Sequence, residues 1–225
     1  MLTVETDLEN IGPDDLLGLD GRVRLGPGAK LSAGTRIEAP IFIAQGARIL
    51  RGVTMGRYAY VGRNTIAACA EIGRYVSIAH DSQINYFRAH PTAWLSTHPF
   101  QFEDTNFAFW PGYAAFQKKP FDADASQKTV TIGPDAWIGA GAYVFGGLTI
   151  GTGAIVGARA MVRQDIPPYA VAVGMPAVVK SRRFDDATIA RLLKTRWWER
   201  PEEEIRALPF NDIARCLDLL EESPA

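Results

Sequence analysis

The chain has 225 residues, room for one large domain or two small ones, with 47% hydrophobic and 22% charged residues. That balance excludes a disordered or collagen-like chain, and 24 basic against 25 acidic side chains, a net charge of −1, leave no basic stripe for a nucleic-acid groove. Two cysteines, Cys69 and Cys216, are too few for a disulfide framework and lack the pairing of a metal knuckle. In chain order, the start Met1-Leu2-Thr3-Val4-Glu5-Thr6-Asp7 is acidic with no apolar run behind it, so it does not read as a secretory signal. No stretch approaches the roughly 18 apolar residues of a membrane span. A soluble, cytoplasmic protein is expected.

From Leu25 an aliphatic residue recurs every sixth position: Leu31, Ile37, Ile43, Ile49, Met55, Val61. After one five-residue step the ladder resumes at Ile66 and runs through Ile72, Ile78 and Ile84, then returns at Ile132 and continues through Ile138, Val144, Ile150, Val156 and Val162. On an α-helix six residues turn through about 600°, scattering the hits over three faces. On a strand six is even, so every hit points to one side. Gly follows the aliphatic residue at Gly26, Gly56, Gly62, Gly73, Gly133, Gly139, Gly151 and Gly157, where a corner needs positive φ or close backbone approach. Small residues four places after the aliphatic ones, such as Ala47, Ala136 and Ala154, suit a narrow interior. Short strands with regular corners stack into a solenoid. The pattern predicts a mainly β protein, a parallel β-helix over about residues 20–180.

The repeat stops between Ile84 and Ile132. Residues 85–129 hold 11 of the 23 aromatics and only eight charged residues, too aromatic for disorder and long enough to be a functional loop. Such a loop fits either as a packed cap or as a projecting pocket wall. After Pro176, Phe184-Asp185-Asp186 can cap a helix from Ala187 to Trp198, which Pro201 breaks, and 202–207 and 211–220 read as shorter helices. The expected organisation is a β-helix domain over 1–180 with an inserted loop at 85–129, then a C-terminal helical segment over 181–225. Trp197-Trp198 reads as core.

Three segments carry a closer likeness. They are Ile72-Gly73-Arg74-Tyr75-Val76-Ser77-Ile78-Ala79 followed by His90-Pro91-Thr92-Ala93-Trp94-Leu95-Ser96-Thr97-His98-Pro99-Phe100; Ile132-Gly133-Pro134-Asp135-Ala136-Trp137-Ile138-Gly139-Ala140; and Asp165-Ile166-Pro167-Pro168-Tyr169-Ala170 through Gly174-Met175-Pro176-Ala177 to Trp197-Trp198. In this order they resemble the hexapeptide-repeat acyltransferases, specifically the xenobiotic (chloramphenicol acetyltransferase-like) branch, over about residues 50–200. The resemblance implies a left-handed β-helix, a homotrimer, and acetyl transfer from acetyl-CoA to a small-molecule hydroxyl, less often an amine. It places the catalytic histidine at His90. Histidine suits that task because its ordinary pKa of about 6.5 leaves it largely neutral at pH 7. His98 then reads as a packed or hydrogen-bonded loop residue and His80 as a corner residue.

The resemblance carries CoA binding onto Trp137, Gly139, Ala140 and Ala158 for the pantetheine arm, and onto Arg163, Lys180 and Arg183, with Arg182, for the phosphates, which cations recognise. Trp137 fits equally as a side chain filling a coil corner. Met175, Val178 and Ser181 depart from the Asn and basic residues common in relatives, and Ala93 replaces a common Asp. Tyr86, Phe87, Trp94, Phe109 and Trp110 can line an acceptor pocket or form loop core. The acceptor reads as a sugar or nucleotide sugar, with an antibiotic or an amino-sugar nitrogen as alternatives and a non-catalytic scaffold as the remote one. No metal is expected: His80, His90 and His98 are spaced 10 and 8 apart, without the close pair of the zinc carbonic anhydrases that share the repeat.

Overall fold

A computed structural model describes residues 1–4, 8–9, 21–87, 89–103, 106–116, 118–123 and 127–222; the acidic Glu5-Thr6-Asp7 lies outside them. Two compact units emerge: Met1–Tyr86 with Thr129–Ala225, and Phe87–Lys128.

The first unit is a parallel β-solenoid of stacked coils with three sheets. On the third of these sheets the inward row reads Leu25, Ile43, Val61, Ile78, Ile138, Val156 and Ala172 down successive coils. All seven are 3% exposed or less, as an even period on extended chain requires. The small residues four places on, Ala47, Ala136 and Ala154 among them, are buried to within 1%, and the larger Val76 and Thr35 are fully buried at the same place in other coils. The coil repeat is 18 residues from Ile43 to Val61 but 17 from Val61 to Ile78. The shortened step is not where the aliphatic pattern puts it. Ala67, not Ile66, pairs with Ile49 and Ile84 and is fully buried, while Ile66 faces outward beside Arg48 and Gln83. The missing residue is at the next corner, where Ala68-Cys69 stands against Leu50-Arg51-Gly52 and Ala70 pairs with Val53. The insertion leaves from this same corner one coil on, after Ile84, and the chain re-enters at Val130 opposite Ala70.

The glycines after the ladder residues serve close approach, not positive φ. A Cβ on Gly139 would lie 2.5 Å from the backbone N of Ala158, and one on Gly26 would lie 2.4 Å from that of Gln45. Positive φ falls two residues later, at Gly141 (66°) and, in other coils, at Asn64 (55°), Asp81 (58°) and Asp135 (60°).

The last parallel strand, Ala170–Val173, pairs antiparallel with Val178–Arg182. Helix α1 spans Asp186–Thr195, capped by the Asp185 carboxylate accepting from the Thr188 N–H at 2.7 Å. It stops short of the expected Trp198 because Arg196 turns left-handed, φ 43°. Helices α2 (Glu202–Arg206) and α3 (Ile213–Glu222) follow. Ile189, Leu192 and Leu217 bury against Tyr169; Trp198 is buried as core, whereas Trp197 is half-buried and packs on Tyr75 with ring centroids 5.1 Å apart. No helix among the described residues is long and apolar enough to cross a membrane.

Arg74 ties this segment to the coils. Its Nε and Nη2 donate to the Glu38 carboxylate at 2.7 and 2.8 Å, and its Nη1 donates to the Trp198 carbonyl at 3.3 Å. Burial pushes the Glu38 carboxyl up, but the hydrogen bonds and charge of Arg74, with Arg57 behind them, outweigh it and hold the group below its ordinary value of 4.5. A carboxyl depressed in the folded state adds stability above its unfolded pKa and loses it as pH falls through the folded one. Glu38→Gln is therefore expected to flatten the fall of Tm below about pH 4.5. An acid limb identical to wild type would show that the pair adds nothing.

The second unit is built on aromatic contacts. Phe102 and Phe121 lie 4.9 Å apart with Trp94 edge-on to both. Phe100 packs on Phe116 and Phe107 on Tyr113. Short 3-10 turns at Pro99–Gln101 and Pro111–Ala115 each begin at a proline, whose fixed φ starts a turn without a lost N–H.

Candidate active site

His90 lies in the second unit, exposed on one side and edge-on to Phe102 at 6.2 Å. Its Nδ1 is 2.7 Å from the Thr97 carbonyl oxygen. A carbonyl only accepts, so Nδ1 carries the hydrogen, and in the neutral ring the lone pair sits on Nε2. The ring borders a cleft of about 240 Å³ that, among the described residues, is also lined by Ala89, Pro99, Phe102, Glu103, Asn106 and Ala123. His98 has the opposite arrangement. Its Nδ1 accepts from the Phe100 N–H at 3.2 Å and caps the turn at Pro99, while its ring packs on Phe100 and Phe107. The lone pair is spent, so the neutral His98 ring has no base to offer. His80, in the coil unit, pairs through Nδ1 with the Asp81 carboxylate at 2.8 Å. Hydrogen bonds from His80 and Asn64 pull that carboxyl below its usual range.

The acceptor candidates separate. Trp94 belongs to the aromatic cluster that includes Phe102. Phe109 and Trp110 are 80% and 64% exposed and line no part of the His90 cleft. Tyr86 belongs to the coil unit, where its carbonyl accepts from the Tyr143 hydroxyl at 2.9 Å and its ring lies under the Arg48 guanidinium. The cleft's polar residues Glu103 and Asn106, and the Thr97 carbonyl that sets the tautomer, were not singled out from sequence. Thr97 lies inside the quoted Ser-Thr-His-Pro-Phe segment, but a carbonyl leaves no mark on residue identity. Glu103 and Asn106 sit in irregular chain with no period to expose them.

The CoA candidates lie in the coil unit. Trp137 points outward from the third sheet, half-exposed, in a strand and not at a corner. Gly139 and Ala140 follow it, with Ala158 at the equivalent place one coil on; the Arg159 N–H donates to the Ala140 carbonyl at 2.8 Å. Neither Ala140 nor Ala158 uses its N–H in the coil-to-coil ladder. Arg163 stacks over Phe145 at 5.6 Å. Lys180 is exposed on the final strand. Arg183 is held in place: it donates to Asp135 at 2.8 Å and to the Gly153 carbonyl at 2.9 Å, and lies over Tyr169 and Phe184. Arg182 pairs with Asp186. Cys216, its thiol raised by burial and by Asp212, gives its hydrogen to the Pro209 carbonyl.

Residues 129–164 match the family model described as bacterial transferase hexapeptide (six repeats). A chloramphenicol acetyltransferase of Agrobacterium fabrum is 39% identical over 120 residues, 53% of this chain and 54% of that protein. Another, from Escherichia coli, is 38% identical over 124 residues, 55% of each. The chain thus spans about half the length of these relatives. The acetyltransferase domain of PglB from Neisseria gonorrhoeae superposes with a TM-score of 0.50 at 18% identity, over 74% of this chain and 62% of that one, a likeness of fold.

Proposed function

We propose that this hexapeptide-repeat chain, a relative of proteins named chloramphenicol acetyltransferase, is an acetyl-CoA-dependent O-acetyltransferase whose acceptor is a hydroxyl of a sugar-type molecule. The observation that carries this is the tautomer of His90: the Thr97 carbonyl holds Nδ1–H and leaves the lone pair on Nε2 of a ring that lines the cleft. The acceptor hydroxyl attacks the thioester carbonyl carbon while Nε2 takes its proton. The tetrahedral oxyanion collapses, the C–S bond breaks, and the imidazolium returns the proton to the departing CoA thiolate. No covalent enzyme intermediate is needed, and the buried, raised thiol of Cys216 is a poor nucleophile.

Trp137, Gly139, Ala140 and Ala158 would receive the pantetheine arm, and Arg163 and Lys180 the phosphates. Arg183 serves them less readily, being spent on Asp135 and Gly153. The same reading includes a left-handed turn of the coils and a homotrimer. The outward row of the third sheet supports self-association, since Phe42, Tyr60 and Trp137 stand 39%, 40% and 50% exposed along it. An antibiotic acceptor is the second reading, favoured by the named relatives.

The test is thiol release from acetyl-CoA by the full chain with simple sugars, nucleotide sugars and chloramphenicol. Acceptor-dependent turnover supports the reading and ranks the two acceptor classes; absence of turnover with every acceptor, together with no binding of CoA, leaves a scaffold. His98→Ala is expected to keep kcat within about threefold, because its lone pair is already engaged. A loss as large as that of a His90 variant would move the base to His98.

A further inference from the structure

The C-terminal segment meets the coils along one column of corner residues, and that column leaves a cavity. In successive coils the left-handed corner position falls to Tyr58, Tyr75, Asp135, Gly153 and Tyr169, with φ between 55° and 65°. Tyr58 stacks on Tyr75 at 5.1 Å, and Tyr75 meets Trp197 at 5.1 Å. The next two rungs, Asp135 and Gly153, bring no ring. Tyr169 closes the column from the other end, lying back over Gly153, where a Cβ would stand 2.4 Å from its Cε1. A cavity of about 350 Å³ occupies the gap, lined by Asp135, Tyr169, Leu192, Trp197, Phe210 and Cys216 among others. We propose that it binds a flat, neutral molecule of one or two rings that offers the Tyr169 hydroxyl a hydrogen-bond acceptor.

Tyr169 is 1% exposed, and its hydroxyl has no hydrogen-bond partner among the described residues. The indole of Trp197 beside it only donates, so it cannot take the hydroxyl hydrogen. Burial, with the Asp135 charge, pushes the phenol up to about 12, so at neutral pH the group is a donor. A buried donor without an acceptor destabilises the fold, and an entering acceptor removes that penalty. Charge argues for a neutral occupant. Among the described residues the charged side chains lining the cavity are Asp135 and Arg183. They are joined to each other, Arg183 Nη1 donating to Asp135 at 2.8 Å and to the Gly153 carbonyl at 2.9 Å. The volume falls within the roughly 300–1,000 Å³ of small-molecule sites, and the faces of Trp197 and Phe210 suit a planar ring. Every lining residue belongs to the coil unit, so the inference stands apart from the transferase reading.

The test is isothermal titration of the full chain with three probes: 1-indanone, which carries a carbonyl acceptor; indane, which lacks it; and indane-1-carboxylate. Wild type is expected to bind 1-indanone with a Kd at or below about 1 mM and more tightly than the carboxylate. Tyr169→Phe keeps the ring and removes only the hydroxyl. It should weaken 1-indanone by about tenfold and leave indane within about twofold. It should also melt no lower than wild type, since the hydroxyl it removes has no partner. Leu192→Phe, which fills part of the cavity, should weaken both rings by about tenfold, with matched melting curves to show that it folds. Alkylation of the two thiols locates the ligand: 1-indanone should slow Cys216, which lines the cavity, and leave Cys69 unchanged. No binding of 1-indanone by about 1 mM, tighter binding of the carboxylate, equal losses for both rings in Tyr169→Phe, or unaltered Cys216 alkylation overturns the inference. A drop in Tm for Tyr169→Phe also overturns it, by showing that the hydroxyl serves the fold.

Discussion

His90→Ala should lower acceptor-dependent thiol release by about 10²–10⁴-fold in kcat, the usual worth of a general base, with KM for acetyl-CoA and Tm near wild type. The stability half of the expectation follows from the surroundings. The ring is exposed, makes one hydrogen bond to the Thr97 carbonyl and touches the aromatic cluster only at the edge of Phe102, so its removal leaves no large cavity. His90→Asn sharpens the test: its amide nitrogen stands about where Nδ1 does and can donate to the Thr97 carbonyl, but it has no basic nitrogen, so it should be as inactive as alanine. Equal activity of wild type and both variants would remove His90 from the chemistry, and a parallel loss of Tm would recast it as a structural residue.

Gly139→Ala should cost about 1–3 kcal/mol of stability, the usual range for overpacking, or roughly 2–4 °C in Tm per kcal/mol at this chain length. The added Cβ would sit 2.5 Å from the Ala158 nitrogen and 2.7 Å from the Gly157 carbonyl carbon. Neither can retreat without opening the ladder bonds from the Gly139 N–H to the Val156 carbonyl and from the Gly157 N–H to the Ala172 carbonyl. Gly141→Asn, two residues on, is the contrast. There φ is 66° and the new Cβ meets only Arg159 Cγ, at 3.3 Å; asparagine tolerates that backbone and stands at the equivalent place as Asn64. Its cost should stay near 0.5 kcal/mol. Were Gly139 kept only for the pantetheine arm, Gly139→Ala would raise KM for acetyl-CoA and leave the melting curve alone.

The coils were legible because their rule is local. A side chain every sixth residue on extended chain faces one way whatever surrounds it, so Ile43, Ile78, Ile138 and Val156 could be placed inside before any coordinates. The rule misled at Ile66, where a larger aliphatic neighbour hid the true inward residue, Ala67. Only the pairing of Ala67 with Ile49 and Ile84 reveals that the short step is at Cys69. The pattern also left two reasons open for the glycines, and close approach could be chosen only once adjacent coils were stacked. At the site, His90 stood out through the quoted motif. The difference between His90 and His98 did not, since it depends on whether Nδ1 faces a carbonyl or an N–H.

By itself, then, the sequence determined the repeat, the direction of the inward residues, the place of the aromatic insertion and the capped helix after Asp185, all of which follow from periodicity and short-range backbone chemistry. Tertiary structure decided the 17-residue coil, the early stop of α1 at Arg196, the tautomer of each histidine and the gathering of Glu103 and Asn106 beside His90. These depend on which backbone groups meet across long sequence separations or within irregular chain, where hydrogen-bond partners are set by position in space and not by spacing along the chain.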